Sequence, residues 1–298
     1  MPAPSLARTL DSLAERIERS SSLDGPAEVL GKLGGLLERP ALRRVLSGTD
    51  TGHPAHPPMV TVPIGAWMTT ALLDLTGQER AAQAAVGFGV GVAVPAAAAG
   101  LSDWLYTDGG ERRLGLVHAL TNVAATGSYA ASWIARRRGS RAAGVTLSGL
   151  GATLALAGGW LGGHLAYARG VGVDTTAFQH SPEEWTDAAD ASDAPQPGNL
   201  GQGSAGGTPV VLAEQDGELH ALADRCTHRG GPLHEGELRD GCVTCPWHGS
   251  EFSLADGSVR EGPAVRPQPV FDVRTEGGKI QVRRDDPELS LRHNPVGA

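Results

Sequence analysis

The chain has 298 residues, three cysteines and a net charge of −8. Three cysteines cannot build a disulfide framework, and an acidic balance excludes nucleic-acid binding through phosphate neutralisation. The charge is uneven: residues 1–170 carry a net +3 and residues 171–298 a net −11, so the chain reads as two unlike parts.

Residues 1–47 read as an amphipathic helical segment. Leu6, Leu10, Leu13 and Ile17 recur at helical spacing, with Arg8, Glu15, Arg16 and Glu18 between them. Gly25-Pro26 breaks the pattern and restarts it, predicting two short helices over 5–46. These helices suit either a membrane surface or packing on the protein itself. Met1 to Arg19 hold no secretory apolar core and no twin-arginine signal.

Residues 48–170 are different. Four nearly charge-free stretches, 58–76, 81–102, 114–135 and 142–167, each approach the ~20 residues needed to cross a bilayer. They are rich in Ala, Gly, Ser and Thr, which suit close helix contact in lipid. The expectation is a four-helix transmembrane bundle in contact with membrane lipid. Arg136, Arg137, Arg138 and Arg141 on one side nearly balance Arg43, Arg44, Arg112, Arg113 and Arg169 on the other. Charge therefore leaves the orientation open. The lack of an export signal points to both tails, and the C-terminal domain, being cytoplasmic at the cell membrane.

Residues 171–207 read as a polar connector opening the next domain. From 208 to 284 short β-patterned runs follow: Pro209–Ala213, Leu219–Ala223, Val270–Val273 and Lys279–Val282, with turns at Asp216-Gly217, Asp256-Gly257 and Gly277-Gly278. This predicts a small antiparallel β domain, with 285–298 as a C-terminal tail.

Within that domain Cys226-Thr227-His228-Arg229-Gly230-Gly231-Pro232-Leu233 is followed by Cys245-Pro246-Trp247-His248-Gly249-Ser250. Each run offers one thiol and one imidazole among Gly and Pro. Two thiolates can hold one iron and two imidazoles another. Cys242-x-x-Cys245 alone would suit a redox dithiol or half a zinc site, but the βαβ context of a thioredoxin-like dithiol is missing. The pairing of Cys-x-His with Cys-x-x-His favours a [2Fe–2S] cluster.

On these motifs, residues from about 173 to 284 resemble a Rieske ferredoxin domain. The resemblance implies a β base with a cluster-binding subdomain, ligands at Cys226, His228, Cys245 and His248, and the histidines at an exposed tip where a redox partner docks. It leaves Cys242 as a strand residue. Quinol-oxidising Rieske proteins carry a disulfide between the two loops; Gly231 and Trp247 stand at those places. They also hydrogen-bond the cluster sulfurs through a Ser and a Tyr; Ser250 matches and Phe252 replaces the Tyr. The implied reduction potential is below the quinol-oxidising type and slightly above ferredoxins without the Ser.

Residues 48–173 resemble an uncharacterised four-helix bacterial membrane family. The matching features are His53-Pro54-Ala55-His56-Pro57, Pro63-Ile64-Gly65 and Gly162-Gly163-His164-Leu165. His53, His56, Asp103, His118, Asn122 and His164 would gather near one membrane face, and intramembrane ionisable groups are functional candidates. Three readings stay open: a b-type haem held by His118 and His164; a quinone or metal site from His53, His56, Asp103 and His118; and hydrogen bonds that lock the helices together.

The sequence-level conclusion is a membrane-anchored Rieske-type protein passing single electrons to or from a redox partner, a reductase or an oxygenase. The alternative is a subunit of a quinone- or haem-linked oxidoreductase. A self-contained Rieske oxygenase needs a mononuclear iron site with two His and a carboxylate, and after His248 only His293 follows.

Overall fold

The computed structural model describes residues 6–284. The tail expected at 285–298, with His293, lies outside them. The described residues divide into an N-terminal helical unit, residues 6–42 with 54–171, and a C-terminal β unit, residues 43–53 with 172–284.

Helices α1 (Leu6–Glu18), α2 (Asp24–Gly34) and α3 (Pro40–Ser47) replace the two expected over 5–46. The chain restarts at Asp24, and again at Pro40, whose fixed φ suits a first helical residue. Four long helices follow: α4 (His56–Leu75), α5 (Glu79–Trp104), α6 (Gly109–Arg137) and α7 (Arg141–Tyr167). α4 packs chiefly on α5, and α6 chiefly on α7. Leu114, Leu161 and Leu165 bury against Ala14 of α1, while Trp67, Val86, Ala93 and Tyr129 form a second core among the long helices.

Three of these helices, α4, α5 and α7, are long and apolar enough to cross a membrane. Four such helices were expected; α6 is not among the three. The third apolar stretch sits inside a helix that also carries Glu111, Arg112, Arg113, Arg136 and Arg137, with His118, Thr121, Asn122 and Ser132 between. Those charges have partners. Arg113 donates two hydrogen bonds to Asp24, at 2.6 and 2.8 Å, Arg112 lies 4.5 Å over the Trp104 ring, and buried Arg136 grips Asp74 at 2.7 and 2.6 Å.

The β unit contains strands β1 (Thr186–Asp190), β2 (Leu200–Ala205), β3 (Thr208–Gln215), β4 (Glu218–Ala223), β5 (Glu237–Arg239), β6 (Cys242–Thr244), β7 (Glu251–Ser253), β8 (Val259–Glu261), β9 (Val270–Glu276) and β10 (Lys279–Arg284). Six form one sheet in the order β1-β10-β9-β4-β3-β2, and four form another in the order β5-β6-β7-β8. All pairings are antiparallel. β1 and β2 fall in the stretch read as a connector. They are the two ends of the larger sheet, and such short polar or glycine-bearing edge strands give little periodic signal. Asp216 and Gly217, both at positive φ, turn β3 into β4.

Residues 43–53 clamp onto the smaller sheet. Arg43 pairs with Glu261, Arg44 Nη1 donates to the Arg260 carbonyl at 2.7 Å, and Thr49 Oγ1 donates to the Ala264 carbonyl at 3.3 Å.

Candidate cluster site

Two loops meet at one end of the β unit, one following β4 and one joining β6 to β7. They are built alike. The Cys226 N–H donates to the Gly231 carbonyl at 2.9 Å, and the Cys245 N–H donates to the Ser250 carbonyl at 2.8 Å. The Gly230 N–H returns to the Cys226 carbonyl, and the Gly249 N–H to the Cys245 carbonyl. Gly230 and Gly249 sit at φ +77° and +71°, where a side chain would be strained. Each cysteine therefore heads a tight turn closed by a glycine.

The turns point N–H groups at sulfur. The His228 and Arg229 N–H groups reach the Cys226 thiol, and the Trp247 and His248 N–H groups reach the Cys245 thiol. The two thiols touch. Their shared hydrogen bond, aided by those N–H groups, pulls Cys245 down to about 6, while the same bond and burial push Cys226 up. One thiolate forms readily; a second needs a positive charge beside it, which a metal centre supplies. Both sulfurs are buried among Leu233, Val243, Phe252 and Leu254.

The imidazoles form the other pair. The His228 and His248 rings lie 5.0 Å apart, edge to face, and both are half-buried. Burial, then His248 and Arg229, holds His228 down at about 3, so it is the neutral ring that metal ligation requires. Trp247, 56 % exposed, stands beside His248 at 6.4 Å. Among the described residues no three His, Cys, Asp or Glu side chains converge on one point. The donors instead gather as two thiols and two imidazoles. That division suits one iron held by sulfur and one by nitrogen.

Gly231 makes the close approach of the loops workable. A Cβ there would lie 2.9 Å from Cys245 Sγ and 3.0 Å from the Trp247 ring. Ser250 is fully buried, and its Oγ accepts the Ala264 N–H at 3.0 Å. Cys242 lies in β6, opposite Ser253 and Arg239.

Sequence reasoning missed several supporting residues. Gln268 is buried and donates through Nε2 to the Ala223 and Arg225 carbonyls, both at 2.7 Å, while its Oε1 accepts the Thr227 N–H at 3.1 Å. It ties the first loop to the strand before it. Thr175 Oγ1 donates to the Cys226 carbonyl at 2.8 Å. The Asp224 carboxylate receives both the N–H and the Nδ1–H of His234, each at 2.7 Å. The one usable signal was Gln268 itself, a lone amide between Pro267 and Pro269.

The model of the Rieske [2Fe-2S] domain matches residues 184–272. Ferredoxin CarAc of Metapseudomonas resinovorans is 31% identical over 99 residues, covering 33% of this chain and 92% of that protein. The chain belongs to the Rieske [2Fe–2S] family. The Rieske domain is also 39% identical over 83 residues to human apoptosis-inducing factor 3, of whose length the chain spans only 14%. A solved complex of reduced oxygenase and oxidized ferredoxin in carbazole 1,9a-dioxygenase contains a chain 30% identical, with a TM-score of 0.31, covering 34% of this chain and 94% of that one. N-terminal to the Rieske domain, residues 52–175 match a family described as a predicted membrane protein (DUF2231).

In the helical unit the structure separates the residues read as haem ligands. His118 Nδ1–H donates to the Gly158 carbonyl at 2.9 Å and packs against Gly162. His164 lies instead against Trp160, with Asp11 and Glu18 of α1 nearby. Gly158 and Gly162 share one face of α7; His164, two residues on, is turned to nearly the opposite face. Equal depth in the sequence does not make two residues face each other, and the structure does not bring His118 and His164 together. His53 belongs to the β unit and His56 to the helical unit. With no three-residue metal cluster among the described residues, His53, His56, Asp103 and His118 do not make a metal site of that kind. Asn122 Nδ2 donates to the His118 carbonyl at 2.8 Å.

Proposed function

We propose that this protein is a membrane-anchored one-electron carrier whose [2Fe–2S] cluster is held by Cys226, His228, Cys245 and His248. The observation that carries the reading is the gathering of two buried thiols and two half-buried imidazoles on two matching turns. When bound, the cluster supplies one-electron redox chemistry at a potential raised by its imidazole ligands.

The chain's own residues do the rest. N–H groups of His228, Arg229, Trp247 and His248 offset negative charge on the two sulfurs. Leu233, Val243 and Phe252 keep water from the thiolate side. The imidazole side, next to exposed Trp247, is the face a redox partner would meet. A ferredoxin-type exchange with an oxygenase or reductase is supported by the similarity to ferredoxin CarAc. The anchor would be α4, α5 and α7, with α6 crossing beside them, its end charges satisfied by Asp24 and Asp74.

Electron paramagnetic resonance of the dithionite-reduced full-length protein tests the cluster. A Rieske-type signal lost in Cys226→Ser and His248→Ala supports the reading. Stoichiometric zinc with no such signal would sink it. Flotation with liposomes tests the anchor.

A further inference from the structure

The helical unit is a two-helix hairpin used twice. Shifting the chain by 62 residues lays α4–α5 on α6–α7. Leu75 and Arg137 end their helices, and Glu79 and Arg141 begin the next ones. Gly77 and Gly139 turn the chain at φ +75° and +81°. The Gln78 N–H donates to the Leu73 carbonyl, and the Ser140 N–H to the Ala135 carbonyl, at 2.8 and 3.0 Å. His56 Nδ1–H donates to the Ala96 carbonyl at 2.8 Å, as His118 does to Gly158 at 2.9 Å. Gly100 and Gly162 leave room for these rings: a Cβ would stand 2.7 and 3.0 Å from the respective Cε1 atoms.

The equivalent positions also meet each other. The His56 and His118 ring centres are 6.3 Å apart. Trp67 stacks on Tyr129 at 4.1 Å and 9°, and Asp74 pairs with Arg136 at 2.6 Å. Residues touching their own equivalents at three heights define a pseudo-two-fold axis along α4 and α6. The lower two pairs are apolar stacking and an ion pair. The third is a pair of histidines.

Their chemistry is set by the repeat. Each ring donates Nδ1–H to a backbone carbonyl, so in the neutral ring Nε2 keeps its lone pair; at His118 the Asn122 Nδ2 group lies 3.4 Å from it and must turn aside when a metal binds. A backbone carbonyl on the other nitrogen is the usual support of a metal-ligating histidine. Two imidazoles on opposite sides of one metal, with nitrogen–metal bonds of about 2 Å, place their ring centres roughly 6 Å apart. No third His, Cys, Asp or Glu joins them among the described residues. We propose that His56 and His118 hold, through Nε2, a transition-metal centre on the pseudo-two-fold axis. It must be one satisfied by two opposed imidazoles: a haem iron, which brings its own equatorial nitrogens, or cuprous ion.

The test uses detergent-solubilised full-length protein, incubated separately with haemin and, anaerobically, with Cu(I), then desalted. One retained equivalent beyond the cluster iron is expected, from haemin with a low-spin Soret spectrum or from copper without one. His56→Ala and His118→Ala should each weaken retention at least tenfold, with the cluster signal unchanged as the control for folding. His164→Ala, on the other side of α7, should retain the metal. Wild-type protein that retains neither probe overturns the proposal, as does retention that survives both substitutions.

Discussion

The buried hydroxyl of Ser250 accepts the backbone N–H of Ala264 at 3.0 Å. An oxygen engaged in this way by a donor leaves its own proton to point elsewhere, and the Cys245 turn closes on this same residue, the Cys245 N–H donating to the Ser250 carbonyl. A hydroxyl proton directed at cluster sulfur stabilises the reduced state. Ser250→Ala should therefore lower the midpoint potential, by on the order of 50 mV for an interaction of about 1 kcal/mol. A redox titration followed by visible circular dichroism measures it, and an unchanged potential would remove Ser250 from the tuning groups.

Thr49 bonds the carbonyl of the same Ala264. The segment 43–53 thus supports the backbone on which Ser250 rests. Thr49→Val should destabilise the β unit by about 1 kcal/mol, through one lost hydrogen bond to a carbonyl left buried. Denaturant titration followed by bleaching of the cluster colour reports it as a lower midpoint.

Gly231 has no room for a methyl group between Cys245 Sγ and Trp247. Gly231→Ala should fold yet assemble the cluster poorly, because the two loops must separate to admit the Cβ. Iron and acid-labile sulfide per chain should fall well below the wild-type ratio. Full occupancy would show that the loops yield more easily than their packing implies.

Asp74 and Arg136 form an ion pair that is almost fully buried, with side chains 10% and 4% exposed. Removing one partner strands the other charge. Arg136→Leu alone should cost about 3–5 kcal/mol, and Asp74→Leu with Arg136→Leu markedly less. Thermal inactivation of the detergent-solubilised protein gives the ordering; a double variant worse than the single one would contradict it.

Asp256 tests the acid limb of stability. Burial opposes its ionisation, yet the Ser258 hydroxyl and N–H hold its carboxyl below the usual range. A depressed folded-state value contributes stability above the unfolded pKa, and that contribution is lost as pH falls through the folded value. Asp256→Asn should remove less than about 1 kcal/mol at neutral pH, because solvent screens the partly exposed group, and nothing in strong acid. Denaturant midpoints measured from acid to neutral pH should converge at the low end.

Much of the site was legible in the sequence. Cys226, His228, Cys245 and His248, with Gly230 and Gly249 closing their turns, are local features: a tight turn around sulfur demands those residue types within five positions. The hairpins at Asp216-Gly217 and Gly277-Gly278 were legible for the same reason. β1 and β2 were not, because an edge strand buries too little to impose a period. Nor were the partners of the charges that flank the third apolar stretch, Asp24 for Arg113 and Asp74 for Arg136, because they are distant in sequence.

What the sequence alone determined is therefore the chemistry of the two loops, which depends on neighbours along the chain. Only the tertiary structure decided which histidines meet. His118 faces His56 and not His164, since helix rotation, set by glycine faces on α5 and α7, chooses partners that depth in a membrane cannot. The same holds for Thr49, Thr175 and Gln268, which support the ligand loops from positions far along the chain. Their hydrogen bonds exist only once the β unit has closed around them.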